Sequence, residues 1–220
     1  MISQGAAVGS DIIALPALSL SGASCGSLLQ NRTVLEGAEH SLSSLARKTS
    51  HINAYIIAGL PVLHERGVFS ACAVLNRGRI LDTIPSIDAP CPLAGCDPFE
   101  QDSDVRNAGP FSLYKCGDLR FCVLPCSPGH LAWYAPEAVR RGAQLLVVPC
   151  CEPVRAGDIR RYRIQIKALS QSLGCAILLI NNCAGESSSP SLYYPFSCLV
   201  ECGKELSFQS HSREPFLLQA

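Results

Sequence analysis

Residues 9–29 read GSDIIALPALSLSGASCGSLL. The stretch Asp11–Pro16 (DIIALP) is a short apolar run closed by proline, the pattern of a strand buried on both faces. Asn31–Thr49 then places Val34, Leu35, Ala38, Leu42, Leu45 and Ala46 at helical spacing. Ala54–Leu60 (AYIIAGL) is a second buried strand, expected to stop at Pro61. Phe69–Leu75 and Arg79–Ile84 flank Asn76-Arg77-Gly78 and predict a hairpin. Pro85–Pro110 is rich in Pro, Asp and Cys without periodicity and is expected to be a long loop.

The second half continues in the same style. Phe111–Cys116 and Leu119–Pro125 predict a hairpin around Gly117-Asp118. A helix ends over Glu137–Arg141, and Gln144–Pro149 (QLLVVP) is a strand. Asp158 is placed to cap a helix that runs through Ser172 and is closed by Gly174. Cys175–Asn181 is a strand, a Gly/Ser/Pro loop extends to Ser191, and Tyr194–Glu201 with Glu205–Gln209 make a hairpin around Gly203-Lys204. Hairpins mixed with helix-linked strands predict an α/β fold of stacked mixed sheets with helices outside, in one domain over residues 1–220.

Composition supports a heavily buried chain. Of 220 residues, 48% are hydrophobic and only 16% charged, against about 25% charged in an average soluble domain. The 18 basic and 18 acidic residues cancel, which argues against nucleic acid and against a polybasic membrane anchor as partners. No apolar run reaches the ~20 residues that span a bilayer.

The 13 cysteines are an odd number and cannot all pair within one chain. Ile12–Leu20 has no basic residues before it, Asp11 at its head and Pro16 inside it, unlike a secretory signal. The expectation is a reduced, cytoplasmic chain whose cysteines are mostly small buried apolar residues. There is no Cys-x-x-Cys. Cys122 and Cys126 lie on what reads as one continuous strand, ~13 Å apart, too far to share a zinc ion. Neither a metal nor a cofactor is expected.

The same opening stretch resembles the nitrilase superfamily of carbon–nitrogen hydrolases, and within it the glutaminase domain of bacterial glutamine-dependent NAD synthetases. The similarity continues in order through Ile56–Pro61 (IIAGLP), Ala73–Leu81 (AVLNRGRIL), Arg141–Pro149 (RGAQLLVVP), Pro149–Pro153 (PCCEP) and Ile180–Gly185 (INNCAG). The resemblance implies a nitrilase-like α-β-β-α sandwich of two mixed sheets. It also implies that the family's first strand and most of its first helix precede the point where Met1 stands, and that the ATP-dependent synthetase domain is not part of residues 1–220. A misassigned start codon is an alternative to a truncated fold.

The family hydrolyses amides with a glutamate base, a lysine that stabilises the oxyanion and a cysteine nucleophile. The resemblance puts the glutamate in a "PEL" string where this sequence has Pro16-Ala17-Leu18. It puts the lysine just after the strand matched by Arg79–Pro85, where this sequence has Ser86. The cysteine address falls on Cys126, approached by Val123-Leu124-Pro125, but Ser127 and Pro128 follow where the family has Glu and Asp. Glu100 is a loose counterpart of a further family glutamate. Losing a base costs about 10²–10⁴ in rate and losing an oxyanion donor about 10²–10³, so the resemblance implies a scaffold stripped of its activity. Cys126 and His130 with Asp118 or Glu137 could form a replacement Cys-His-carboxylate set, although Ser127–His130 reads more simply as a turn. Three functions compete: an inactive nitrilase-like interaction subunit or decaying paralogue, a weak thiol-dependent amidase using Cys126, and a non-catalytic binder of a glutamine-like small molecule. A homo-oligomer, or a complex with an intact NAD synthetase, are the partners the resemblance suggests.

Overall fold

The computed structural model describes residues 1–64, 67–90, 111–153, 156–182 and 196–210. Helix α1 (Ile2–Ala7) leads into strand β1 (Ile12–Ala14), a 3₁₀ stretch at Ala23–Gln30, and helix α2 (Arg32–Lys48). Strands β2 (Tyr55–His64), β3 (Gly67–Asn76) and β4 (Arg79–Pro90) come next, then the β5 (Leu113–Cys116) and β6 (Leu119–Val123) hairpin. Helix α3 (Leu131–Arg140), β7 (Leu145–Pro149), α4 (Ala156–Leu173), β8 (Ala176–Ile180), β9 (Phe196–Glu201) and β10 (Lys204–Ser210) complete the order.

Among the described residues the strands form two mixed sheets, ordered β1-β2-β3-β4 and β10-β9-β8-β7-β6-β5. In the first, β1 runs parallel to β2 and the others alternate. In the second, β6, β7 and β8 are mutually parallel, with antiparallel strands at both flanks. This arrangement explains the near-continuous apolar runs. A strand covered on one face by the opposing sheet and on the other by a helix has no polar side, and all five residues of β7 are buried. Ile57, Cys72, Val74 and Ile84 of the first sheet meet Phe121, Val123, Leu145 and Val147 of the second. The outer face of the first sheet packs Ile56, Ala58, Ala73 and Leu75 beneath Ala38, Leu42 and Ala46 of α2. The outer face of the second packs Leu146, Val148, Ile177 and Cys198 beneath Leu131 and Ala135 of α3 and Ile159 and Ile166 of α4.

The turns obey local chemistry. Arg77 and Gly78, at φ 47° and 76°, link β3 to β4, and both residues of such a two-residue hairpin turn are left-handed. Asn31 caps α2 by accepting the Thr33 N–H at 2.9 Å, and Gly174 ends α4 at φ 62°.

Several boundaries differ from the sequence reading. Strand β2 passes through Pro61, which pairs with Ser70. The reason lies in the alternation of backbone groups. The Tyr55 and Gly59 amides both point to the β1 side, so the missing N–H of Pro61 does too, beyond the reach of three-residue β1, and costs no ladder bond to β3. Strand β4 continues to Pro90 past a register shift that brings Pro90 opposite Phe69, so the expected loop does not begin at Pro85; residues 91–110 lie outside the described residues. Strand β6 ends at Val123, so Cys122 and Cys126 do not share a strand. Helix α4 begins at Ala156, leaving Asp158 in its first turn, paired to Arg161 at 3.2 Å. The β9–β10 turn is Cys202-Gly203, one residue earlier than expected, at φ 46° and 82°. No helix among the described residues is long and apolar enough to cross a membrane.

The buried cysteines give the fold a defined alkaline limit. Burial raises the Cys72, Cys122 and Cys198 thiols from an ordinary 9.0 to about 12. Below pH 9 each is protonated whether the chain is folded or unfolded. Between 9 and 12 the unfolded chain releases protons that the folded one retains, so stability is full at low pH and falls as pH rises, by about 1.4 kcal/mol per pH unit per thiol. Urea midpoints should be flat from pH 7 to 8.5 and fall steeply above 9, and Cys72→Ala should shed about one proton from that slope.

Candidate active site

The site is assembled where strands of both sheets end. Strand β1 exits into Leu15–Leu20, which folds back along β2. The Leu15 N–H donates to the Ile57 carbonyl at 2.9 Å and the Leu20 N–H to the Gly59 carbonyl at 2.9 Å. The Ser19 hydroxyl accepts the Gly59 N–H at 3.0 Å. The approach is so close that a Cβ on Gly59 would sit 2.3 Å from the Leu18 nitrogen and 2.6 Å from the Ala17 Cα. Leu18 accommodates this fit with a left-handed backbone, φ 57°, while its side chain is buried at 2% exposure. The result is that Ala17 is buried, its N–H reaching the Cys150 carbonyl at the end of β7 at 3.4 Å.

Ser86 and Cys126 meet through Pro125. The Ser86 hydroxyl and the Ile87 N–H both donate to the Pro125 carbonyl, at 3.1 and 3.0 Å. This ties β4 of one sheet to the segment leaving β6 of the other. Leu124 still follows the second sheet, donating to Val147 at 2.8 Å, and Cys126 is buried at 3% exposure within the core cluster that also holds Cys150. The thiols of Cys126 and Cys150 interact electrostatically. Ala17, Ser86 and Cys126 therefore converge on one locality, bridged by Cys150 and Pro125. Glu100 lies outside the described residues.

Asn181 and the hydrogen bonds that join Cys150 to it are what sequence reasoning missed. Cys150 donates its N–H to the Ile180 carbonyl at 2.8 Å, and its Sγ contacts that oxygen at 3.3 Å and the Asn181 Oδ1 at 3.5 Å. Asn181, 2% exposed, then clamps the next residues: its Oδ1 accepts the Glu152 N–H at 2.8 Å and its Nδ2 donates to the Glu152 carbonyl at 3.1 Å. Burial, then the charge of Glu152, pushes the Cys150 thiol well above its ordinary value. Cys150 is thus a neutral, hydrogen-bonded strut rather than a simple filler. Its signal in the sequence was the pair of strand ends, Pro149-Cys150 and Ile180-Asn181, at equivalent positions on adjacent parallel strands.

Of the two carboxylates considered for a Cys-His-carboxylate set, Glu137 is engaged elsewhere and Asp118 lies at the far end of β6. Glu137 is held by Arg140 at 2.8 Å and Arg141 at 2.7 Å, and these bonds bring its carboxyl down to about 2. Asp118 sits in the β5–β6 turn, with all of β6 between it and Cys126. His130 stacks on Trp133 with ring centres 4.8 Å apart, and its N–H donates to the Ser127 carbonyl at 3.0 Å. Among the described residues no three His, Cys, Asp or Glu side chains are grouped to hold a metal.

Comparison with solved structures places this architecture. An amidase from Nesterenkonia sp. AN1, of the nitrilase superfamily and with its cysteine replaced by alanine, superposes with a TM-score of 0.74 at 18% identity over 95% of this chain and 77% of the amidase. The chain has the nitrilase fold. A glutamate-to-glutamine variant of the same amidase, carrying the acetamide moiety of fluoroacetamide on its active-site cysteine, gives 0.77 at 18% identity, covering 94% of this chain and 76% of that one. The glutamine-dependent NAD+ synthetase from Acinetobacter baumannii with bound ADP gives 0.76 at 16% identity, covering 96% of this chain and 39% of the synthetase. No family model matches the sequence. Among curated proteins, the glutamine-dependent NAD(+) synthetase of Rhodobacter capsulatus is 27% identical over 183 residues, which is 83% of this chain and 32% of the synthetase. That of Xanthomonas campestris pv. campestris (strain 8004) is 26% identical over 181 residues, 81% of this chain and 32% of its own length. The nitrilase-like chain is thus related to the glutaminase part of these synthetases and spans about a third of their length.

The contact of Gly59 with Ala17–Leu18 should be the least tolerant point of the site. In Gly59→Ala the new methyl meets backbone, which cannot rotate aside, at a cost of about 1–3 kcal/mol or more. The urea midpoint should fall accordingly, and the Leu20 amide should lose hydrogen-exchange protection more than amides of β7.

Proposed function

We propose that this chain is a catalytically silent relative of the NAD synthetase glutaminase domain, retained as an interaction or regulatory subunit or persisting as a decaying paralogue. The observation that carries the reading is the chemistry at two positions beside the buried Cys126. The position matched to the family glutamate is occupied by a methyl group, Ala17, buried at 6% exposure. The position matched to the family lysine is Ser86, whose hydroxyl donates to the Pro125 carbonyl.

Amide hydrolysis by a thiol needs three things from these neighbours. A base must take the thiol proton as sulfur attacks, a cation or donor must hold the oxyanion, and an acid must protonate the departing amine. Ala17 offers no proton acceptor and Ser86 no charge. Cys126 is also buried, in the same mostly apolar cluster as Cys150. The two losses do not multiply simply, but either alone removes orders of magnitude in rate.

A second reading, a weak thiol-dependent amidase, draws support from Glu152, whose charge acts on the Cys150 thiol within the cluster that holds Cys126. Alkylation separates the two readings. With iodoacetamide at pH 7, Cys126 should react no faster than a simple thiol and should not be protected by glutamine. A rate tenfold or more above a simple thiol, suppressed by glutamine, would replace the silent reading with the amidase one.

A further inference from the structure

Cys175 and Cys202 oppose each other where the β8–β9 ladder ends. The ladder runs from Ile180 opposite Ser197 to Ala176 opposite Glu201. One step further, the Cys202 N–H donates to the Cys175 carbonyl at 3.4 Å. That backbone bond sets the two residues side by side, although Cys202 itself belongs to the β9–β10 turn with φ 46°, and a disulfide bridges α-carbons ~4.4–6.8 Å apart. Cys175 joins Ile177, Cys198 and Val200 in the core beneath α4, while Cys202 stands at the exposed rim of the turn.

Ser170 of α4 ties Cys175 to Gly203, the turn residue that follows Cys202. Its hydroxyl, fully buried, donates to the Cys175 carbonyl at 2.6 Å and accepts the Gly203 N–H at 3.2 Å. The two thiols differ in access: Cys175 is 2% exposed and Cys202 is exposed. Burial, and then the charge of Cys202, raise the Cys175 thiol to about 11.

We propose that Cys202 and Cys175 are an oxidant-reactive thiol pair, with Cys202 attacked first and Cys175 resolving it into a disulfide. With a hydroperoxide as oxidant, the Cys202 thiolate attacks the terminal peroxide oxygen. The O–O bond breaks, the alkoxide leaves and takes up a proton as an alcohol (water, for hydrogen peroxide), and Cys202 becomes a sulfenic acid. The Cys175 sulfur then attacks the Cys202 sulfur; an S–S bond forms, and the hydroxyl departs with the Cys175 proton as water. Two thiols lose two electrons in total and the peroxide gains them. This pair lies at the β9–β10 turn, at the opposite end of β8 from Cys150 and Cys126, so its chemistry is independent of the silent site.

The test treats the folded full chain with a few equivalents of hydrogen peroxide, blocks remaining thiols, and maps peptides by mass spectrometry without reductant. The expected product is a Cys175–Cys202 cross-link, reversed by dithiothreitol. It closes a loop of 27 residues and should raise the thermal midpoint by about 5–10 °C. Cys202→Ser, a surface change, should abolish both the cross-link and the shift. Cys175→Ala should leave Cys202 trapped as a dimedone-reactive sulfenic acid. Cys202 linked to another cysteine or to a second chain, or over-oxidised while Cys175 stays a free thiol, would overturn the proposal.

Discussion

The rest of the molecule hangs on the dry layer between the two sheets. Ile57, Cys72, Val74 and Ile84 on one side and Phe121, Val123, Leu145 and Val147 on the other form a single apolar cluster. Because helices cover the outer faces as well, the central strands are apolar on both sides. The low charge content and the many cysteines are consequences of that double burial. A thiol is about the size a tightly packed strand position allows, and burial keeps it protonated. Aromatic contacts close the edge of the layer: Tyr55 meets Phe121 edge-on at 5.0 Å, and its hydroxyl donates to the Lys115 carbonyl of the other sheet at 2.9 Å.

The same stacking positions the site. The first sheet delivers Ala17 and Ser86, and the second delivers Cys126 and Cys150, so their meeting depends on how the two sheets register. Three polar links hold that register at the site, the Ala17 bond to Cys150 and the Ser86 and Ile87 bonds to Pro125. In this chain those links keep the scaffold closed, while the groups that would move protons and hold an oxyanion are absent at the matched positions. Leu18 holds a left-handed backbone beside these links, φ 57°. A strained backbone persists at the Ala17 address because Gly59 packs against it.

Much of this was legible in the sequence, and the failures have physical causes. Continuous apolar runs identify β7, buried on both faces, and β8, buried on one and half-buried on the other, and apolar spacing identifies α2 because one face is wet. Pro61 misled because a proline stops a strand only where its missing N–H faces a neighbour, and strand order is not written locally. The extension of β4 past Pro85 depends on a register shift against β3, again a pairing property. At the site, the matched strings gave the addresses of Ala17, Ser86 and Cys126. They did not give the Asn181 clamp on Glu152, whose partners are 29 residues apart. The Cys175–Cys202 opposition was hidden likewise, because the Cys202-Gly203 turn lies one residue before the position that composition suggested.

The scaffold, on this account, outlived its chemistry. The most direct test is ammonia release from glutamine, measured side by side for the unaltered chain and Cys126→Ala at high protein concentration. The prediction is that both give the same background rate. Turnover above background that disappears in Cys126→Ala would contradict it.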